Sequence, residues 1–140
     1  MPPLVYRHDF RVVMGEVDVS QIHFTAMHRW MDRGWSEWLA LAGHPFPRIL
    51  EEGPGVPIVE TRCRFLLRVM LDDVLTLRTW VTGIGNTSFR TRHQFRRDGE
   101  VAVDGEMVHV CVDRDTRDTL RVPDWITVRA VLEGQEPGAD

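Results

Sequence analysis

Between Thr25 and Ala42 the apolar residues recur every three to four positions: Met27, Trp30, Met31, Gly34, Trp35, Trp38, Leu41 and Ala42. His28, Arg29, Asp32, Arg33, Ser36 and Glu37 take the other side. This spacing predicts an amphipathic helix of about five turns, stopped by Gly43 and Pro45. An apolar stripe carrying three Trp has to be covered, by a sheet or by a second subunit. The stripe is therefore read as core. Gly34 sits on it in mid-helix, at a cost of about 1 kcal/mol against Ala. Close approach of a sheet backbone would offset that cost.

Around this helix the period changes to two. From Leu4 to Met14, Tyr6, His8, Phe10, Val12 and Met14 point one way and Arg7, Asp9 and Arg11 the other, which predicts a strand. A loop is expected from His44 to Pro57, rich in Pro and Gly. Four strand-like runs follow, over 56–69, 74–83, 87–97 and 100–113. Their joints are Asp72-Asp73, Gly83 to Asn86, and Asp98-Gly99, the last a strong hairpin signal. Asp104-Gly105 predicts a bulge inside the last run. A short helix is expected after Pro123. One antiparallel sheet with one long helix on a face is an α+β arrangement. It is expected to form a single domain over 1–132, with 133–140 (EGQEPGAD) a frayed, disordered tail.

Composition narrows the function. The 140 residues carry a net charge of −4, which excludes a protein that coats nucleic acid. No apolar run reaches the ~18–20 residues that cross a bilayer, and MPPLVYRHDF lacks a signal-peptide layout. A cytoplasmic location is expected. Cys63 and Cys111 are the two cysteines and form no CxxC pair, so neither a disulfide scaffold nor a metal site is expected, and both read as buried filler. No cofactor is implied. All 17 basic residues are Arg. Coding bias is one source of that; forks that grip phosphate or carboxylate are another.

Three stretches carry a family resemblance. Glu16-Val17-Asp18 followed by Ile22-His23-Phe24-Thr25-Ala26-Met27-His28-Arg29-Trp30 is similar to an acid-x-Asp pattern that leads into a helix with Arg-Trp. Val69 to Leu75 resembles a pre-turn Pro-x-x-x-Gly-Asp-x-Leu stretch, with Val69 and Asp72 where Pro and Gly are usual. Val108 to Thr116, running on to Val122-Pro123, resembles a closing strand, turn and Pro. In this order they resemble the 4-hydroxybenzoyl-CoA thioesterase-like branch of the hotdog-fold acyl-CoA thioesterases. In that fold a curved antiparallel sheet of about five strands wraps one long helix. The chain has one residue fewer between Asp18 and the helix than the family usually has, and Gln21 stands near the usual Gly-His pair.

The resemblance implies a thioesterase that releases free acid and CoA. Asp18 is then the general base or the nucleophile; on its own it reads equally as a polar or capping loop residue. The position matching the family's oxyanion donor is Phe24, through its backbone N–H at the helix start. His23 beside it is a second base, a substrate contact or a surface histidine. Some relatives use an acid or an Arg on the helix, which points to Asp32, Arg33 and Glu37; alternatively Arg33 and Glu37 form an i,i+4 pair. Ser88 matches a hydroxyl that faces the acyl pocket, or is an ordinary strand hydroxyl. Arg62, Arg64, Arg90, Arg92, Arg96 and Arg97 share strand faces. Of these, Arg64, Arg90 and Arg92 are candidates for the CoA phosphates, against a solvated sheet face. Arg114, Arg117 and Arg121 are open in the same way. The family implies a homodimer or homotetramer with the site at a subunit boundary. Two alternatives stand beside an acyl-CoA substrate: an acyl carrier protein thioesterase relying on Arg33, or a hotdog domain that binds an acyl ligand without catalysis.

Overall fold

The computed structural model describes residues 1–19, 21–135 and 137. Strand β1 (Val5–Arg11) is followed by a 3-10 turn (Met14–Glu16) and the two short strands β2 (Val17–Asp18) and β3 (Gln21–Ile22). Helix α1 spans Ala26–Leu41 and α2 spans Phe46–Glu52. Strands β4 (Ile58–Phe65), β5 (Val74–Thr82), β6 (Ser88–Arg97) and β7 (Glu100–Val110) come next, then a one-turn α3 (Asp124–Thr127). The main sheet is antiparallel in the order β1-β5-β6-β7-β4, and α1 packs on one face of it. This is the expected α+β hotdog arrangement of five strands and one long helix. Among the described residues no helix is long and apolar enough to cross a membrane.

Alternation decides which face of the sheet is inside. Leu75, Leu77, Thr79 and Val81 of β5, and Phe89, Thr91, His93 and Phe95 of β6, are buried toward the helix side. Met27, Met31, Trp35 and Trp38 of α1 meet this surface and are essentially unexposed. The helix sits very close to it. A Cβ on Gly34 would lie 2.2 Å from Thr79 Oγ1 and 3.4 Å from His93 Nδ1, so what closes on Gly34 is side chain rather than sheet backbone. A Cβ on Gly105 would lie 2.8 Å from Met31 Sδ.

Beneath the helix runs a buried polar chain. Thr79 Oγ1 meets His93 Nδ1 at 3.0 Å, His93 Nε2 meets Thr91 Oγ1 at 2.8 Å, and Thr91 Oγ1 meets His109 Nε2 at 2.9 Å. Burial pushes His93 down to about 3 and His109 down to about 4, so both rings stay neutral inside the core.

Several expectations are corrected. The stretch Asp104-Gly105 is regular ladder: Gly105 pairs with His93 and Cys63, and its missing side chain serves Met31. The irregularity lies instead between Phe95 and Arg96, opposite Val103 and Val101. The extra residue there, Ala102, offers its carbonyl to both Leu66 N–H and Leu67 N–H, at 2.8 and 3.0 Å. The loop expected over 44–57 contains α2, whose first turn uses Pro47. Leu41 and Met14 were assigned inward and are 56% and 77% exposed. Cys63 is only half-buried.

After α3 the chain crosses the outer face of the sheet. Val131 N–H donates to the Val81 carbonyl at 2.8 Å and Arg78 donates to the Pro137 carbonyl at 3.2 Å. Glu133 and Gly134 form a turn; Glu136 and residues 138–140 of the expected tail lie outside the described residues. The two ends of the domain run side by side, with Leu4 N–H donating to the Arg129 carbonyl at 2.9 Å and Arg129 Nε to the Pro2 carbonyl at 2.8 Å.

Candidate active site

The segment from Val13 to Thr25 brings three of the expected residues together. Strands β2 and β3 form a minimal hairpin in which Val17 pairs with Ile22 and Asp18 with Gln21. Ile22 N–H is anchored on the Val69 carbonyl at 2.8 Å, and Gln21 bridges to Met70. The stretch resembling the family's pre-turn motif thus supports the hairpin from outside. Val19 follows Asp18 with φ 51°, a conformation that costs a β-branched residue about 1–3 kcal/mol.

Asp18, Val19, Gln21, Ile22, His23 and Phe24 line one open surface groove. The Asp18 carboxylate is exposed in it. Phe24 is 64% exposed, and its backbone N–H has no hydrogen-bond partner among the described residues. It precedes α1 by two residues, so it adds to the partial positive charge of the helix start. An exposed carboxylate and an unpaired N–H in one groove can attack a carbonyl and stabilise the oxyanion that forms.

The His23 ring stacks on Phe24 with centroids 4.7 Å apart. Its Nδ1 accepts from Thr25 N–H at 3.2 Å and lies 2.8 Å from Thr25 Oγ1. An Nδ1 that accepts from an amide carries no proton, so the neutral ring is protonated at Nε2. His23 thereby caps the helix start through Nδ1.

The other candidates lie elsewhere. Ser88 opens β6 beside Phe89, which packs on Trp35 at 5.5 Å in the second half of α1. Within one chain it is at the opposite end of the helix from Asp18. The Arg33 guanidinium lies over the Trp30 ring, 5.3 Å from its centroid. Burial raises the Tyr6 phenol, Glu37 adds to that, and Arg33 opposes it. Among the described residues Arg33 and Glu37 form no ion pair. Asp32 is exposed on the same helix.

Several of the strand arginines share the outer sheet face, and most of the six are paired. Arg62 and Arg90 both reach Glu106, at 3.3 and 2.5 Å; Arg92 grips both oxygens of Asp104, at 2.7 and 2.9 Å. Arg97 reaches Asp73 at 2.8 Å. Arg64 alone of the three phosphate candidates has no ion pair among the described residues. Arg96 Nε is buried without a partner. Arg114 and Arg121 line a separate depression beside Gly53 and Pro54, and Arg117 is exposed with φ 68°. Among the described residues no cluster of His, Cys, Asp or Glu is arranged to hold a metal.

Two features of the site escaped sequence reasoning. One is the bond from Trp30 Nε1 to Glu16 Oε2, which spans fourteen residues and leaves no periodic trace. The other is the pairing of the arginines, which the alternation of Asp104 and Glu106 on the neighbouring strand could have signalled.

Residues 12–130 match the family model of the thioesterase-like superfamily. The chain is 30% identical over 125 residues to the 1,4-dihydroxy-2-naphthoyl-CoA hydrolase of Synechococcus sp. (strain WH7803), covering 83% of this chain and 82% of that one. It is 27% identical over 123 residues to the enzyme of the same name from Prochlorococcus marinus (strain MIT 9515), with 83% and 82% covered. The solved structure of 4-hydroxybenzoyl-CoA thioesterase from Pseudomonas sp. strain CBS-3 superimposes with a TM-score of 0.75 at 26% identity, covering 89% of this chain and 98% of that one.

Proposed function

Because this chain belongs to the thioesterase-like superfamily, we propose that it hydrolyses an aromatic acyl-CoA thioester to the free acid and CoA. The observation that carries the site assignment is the Asp18 carboxylate in one groove with Phe24, whose N–H has no partner among the described residues. The thioester carbonyl oxygen accepts from Phe24 N–H. The Asp18 carboxylate then takes a proton from an attacking water, or attacks the carbonyl carbon to give a mixed anhydride that water cleaves. In both routes the C–S bond breaks, sulfur leaves as thiolate and takes up a proton, and the acyl group keeps the water oxygen. An aromatic acyl group is supported by the names of the relatives and by the stacked His23 and Phe24 rings beside Asp18. Of Arg64, Arg90 and Arg92, Arg64 is the one without an ion pair among the described residues, and we assign it to a CoA phosphate. The carrier-protein alternative relies on Arg33, whose guanidinium packs over the Trp30 ring.

The groove is open on one chain, and we assign its missing wall to a second copy, in a homodimer or homotetramer. Strand β4 is a free edge, with Ile58, Val59 and Phe65 exposed. In such an assembly Ser88 of one copy lines the site of the other.

The test is thiol release across aromatic, short, branched and long acyl-CoAs, with 4-hydroxybenzoyl-CoA and 1,4-dihydroxy-2-naphthoyl-CoA among the aromatic ones. The aromatic thioesters should turn over fastest, and Asp18→Asn should lower kcat about 10²–10⁴-fold. An Asp18→Asn protein that keeps its rate would remove Asp18 from the chemistry. Preference for aliphatic chains would remove the aromatic assignment.

A further inference from the structure

Glu16 stands two residues before Asp18, and every hydrogen-bonding group it has is engaged. Its Oε1 accepts from Val13 N–H at 3.0 Å, and its own N–H returns to the Val13 carbonyl at 2.9 Å. Its Oε2 accepts from the indole N–H of Trp30, one turn into α1. Its carbonyl accepts from His23 N–H at 2.7 Å. His23 is the residue before the Phe24 donor. One residue therefore ties the 3-10 turn that precedes the Asp18 hairpin, the helix that follows it, and the link to the oxyanion N–H.

Trp30 is itself held firmly. Phe10 stacks on its ring with centroids 3.7 Å apart, His8 lies at 5.7 Å, and the Arg33 guanidinium packs over it. Phe10 belongs to β1, so the indole is fixed to the sheet as well as to the helix. Asp18 is exposed, Val19 is strained, and among the described residues no side chain grips the Asp18 carboxylate. The position of the hairpin relative to the helix start thus depends on what fixes its base.

We propose that Glu16, braced by Trp30, is a positioning residue that sets the Asp18 carboxylate against the Phe24 N–H. The inference rests on the reading of Asp18 and Phe24 given above. Glu16 does not touch substrate; it acts by fixing both ends of the segment that carries the two reacting groups. Misplacement of such groups by about 1 Å lowers turnover by up to about a hundredfold.

The experiment uses the full chain and the fastest acyl-CoA of the panel above. Glu16→Gln keeps one acceptor oxygen where two are needed, and Trp30→Phe keeps the stacked ring while removing the donor. Each is expected to lower kcat about tenfold or more with KM within about twofold. Their double variant should lose no more than the larger single loss, because both break one link. A loss confined to KM, a kcat unchanged in either variant, or multiplicative losses in the double variant would overturn the proposal. So would a kcat loss that merely follows a lowered unfolding midpoint. Asp18→Asn is measured alongside. If it keeps activity while Glu16→Gln and Trp30→Phe lose kcat together, the base assignment fails and the brace stands through Phe24. If it is inactive while those two are normal, the brace fails and the base assignment stands.

Discussion

At the residue scale, small side chains and buried rings matter more than their types suggest. Gly34 read as a liability in a helix, and the contact at Thr79 explains its place. Gly34→Ala gains about 1 kcal/mol of helix propensity but drives a methyl into the Thr79 hydroxyl, at about 1–3 kcal/mol for overpacking. The net effect should be a loss, seen as a lower urea midpoint at unchanged slope; a raised midpoint would refute it. His93 and His109 allow a second prediction. Both titrate well below the ordinary 6.5 in the fold, because burial penalises the cation. Below about pH 6.5 the unfolded chain binds more protons than the folded one, so stability is full above that pH and falls as pH drops toward 4. From pH 7 to pH 5 the two rings together should cost about 3–4 kcal/mol. Urea titrations at the two values check this. His93→Gln should reduce the drop by about half; an undiminished drop would assign it to other groups. None of this was legible in the sequence, where His93 and His109 are two histidines in alternating runs. By contrast the resemblance carried by the stretch from Glu16 to Trp30 put Asp18, His23 and Phe24 just before a helix start, and the three do line one groove.

At the scale of elements, periodicity found α1 and the five long strands, whose faces differ sharply in polarity. It missed α2 because Pro45 and Pro47 with nearby glycines read as a loop, although Pro in the first turn is compatible with a helix. It also placed the bulge at a glycine, when the irregularity arises from the doubled acceptor at Ala102. Strand β4 is the element whose surroundings are least complete. Seven of its eight residues are exposed, and Val59 sits where the register against β7 shifts. If β4 pairs with a second copy, the native mass in solution is two or four times 16.2 kDa. Val59→Lys should then shift the mass toward one chain and lower turnover about tenfold or more, since it opens the groove wall. Light scattering with parallel rate measurements decides it. A wild-type monomer with full activity would end the two-copy reading.

At the scale of the whole molecule, the arginine-rich composition resolves into two uses. Arg62, Arg90 and Arg92 neutralise acids on the neighbouring strand β7 and Arg97 an acid in the turn before β5, so the outer face carries both signs and little net field. The arginines left over, Arg64 and those near 114–121, are the ones to examine with a phosphate-bearing thiol. The sheet order and the covering helix bury two of the three helix tryptophans, Trp35 and Trp38, fully, and Trp30 in part. The ends of that structure meet, with Leu4 and Arg129 joined by a backbone bond. The order in which the elements are synthesised is therefore separable from the way they are arranged in space. A chain sealed between those ends by a short linker and reopened at the exposed Asp98-Gly99 turn would specify the same sheet. Circular permutation thus offers a route to presenting β6 and β7 as the termini of a fusion, with the Asp18 hairpin left inside an unbroken segment.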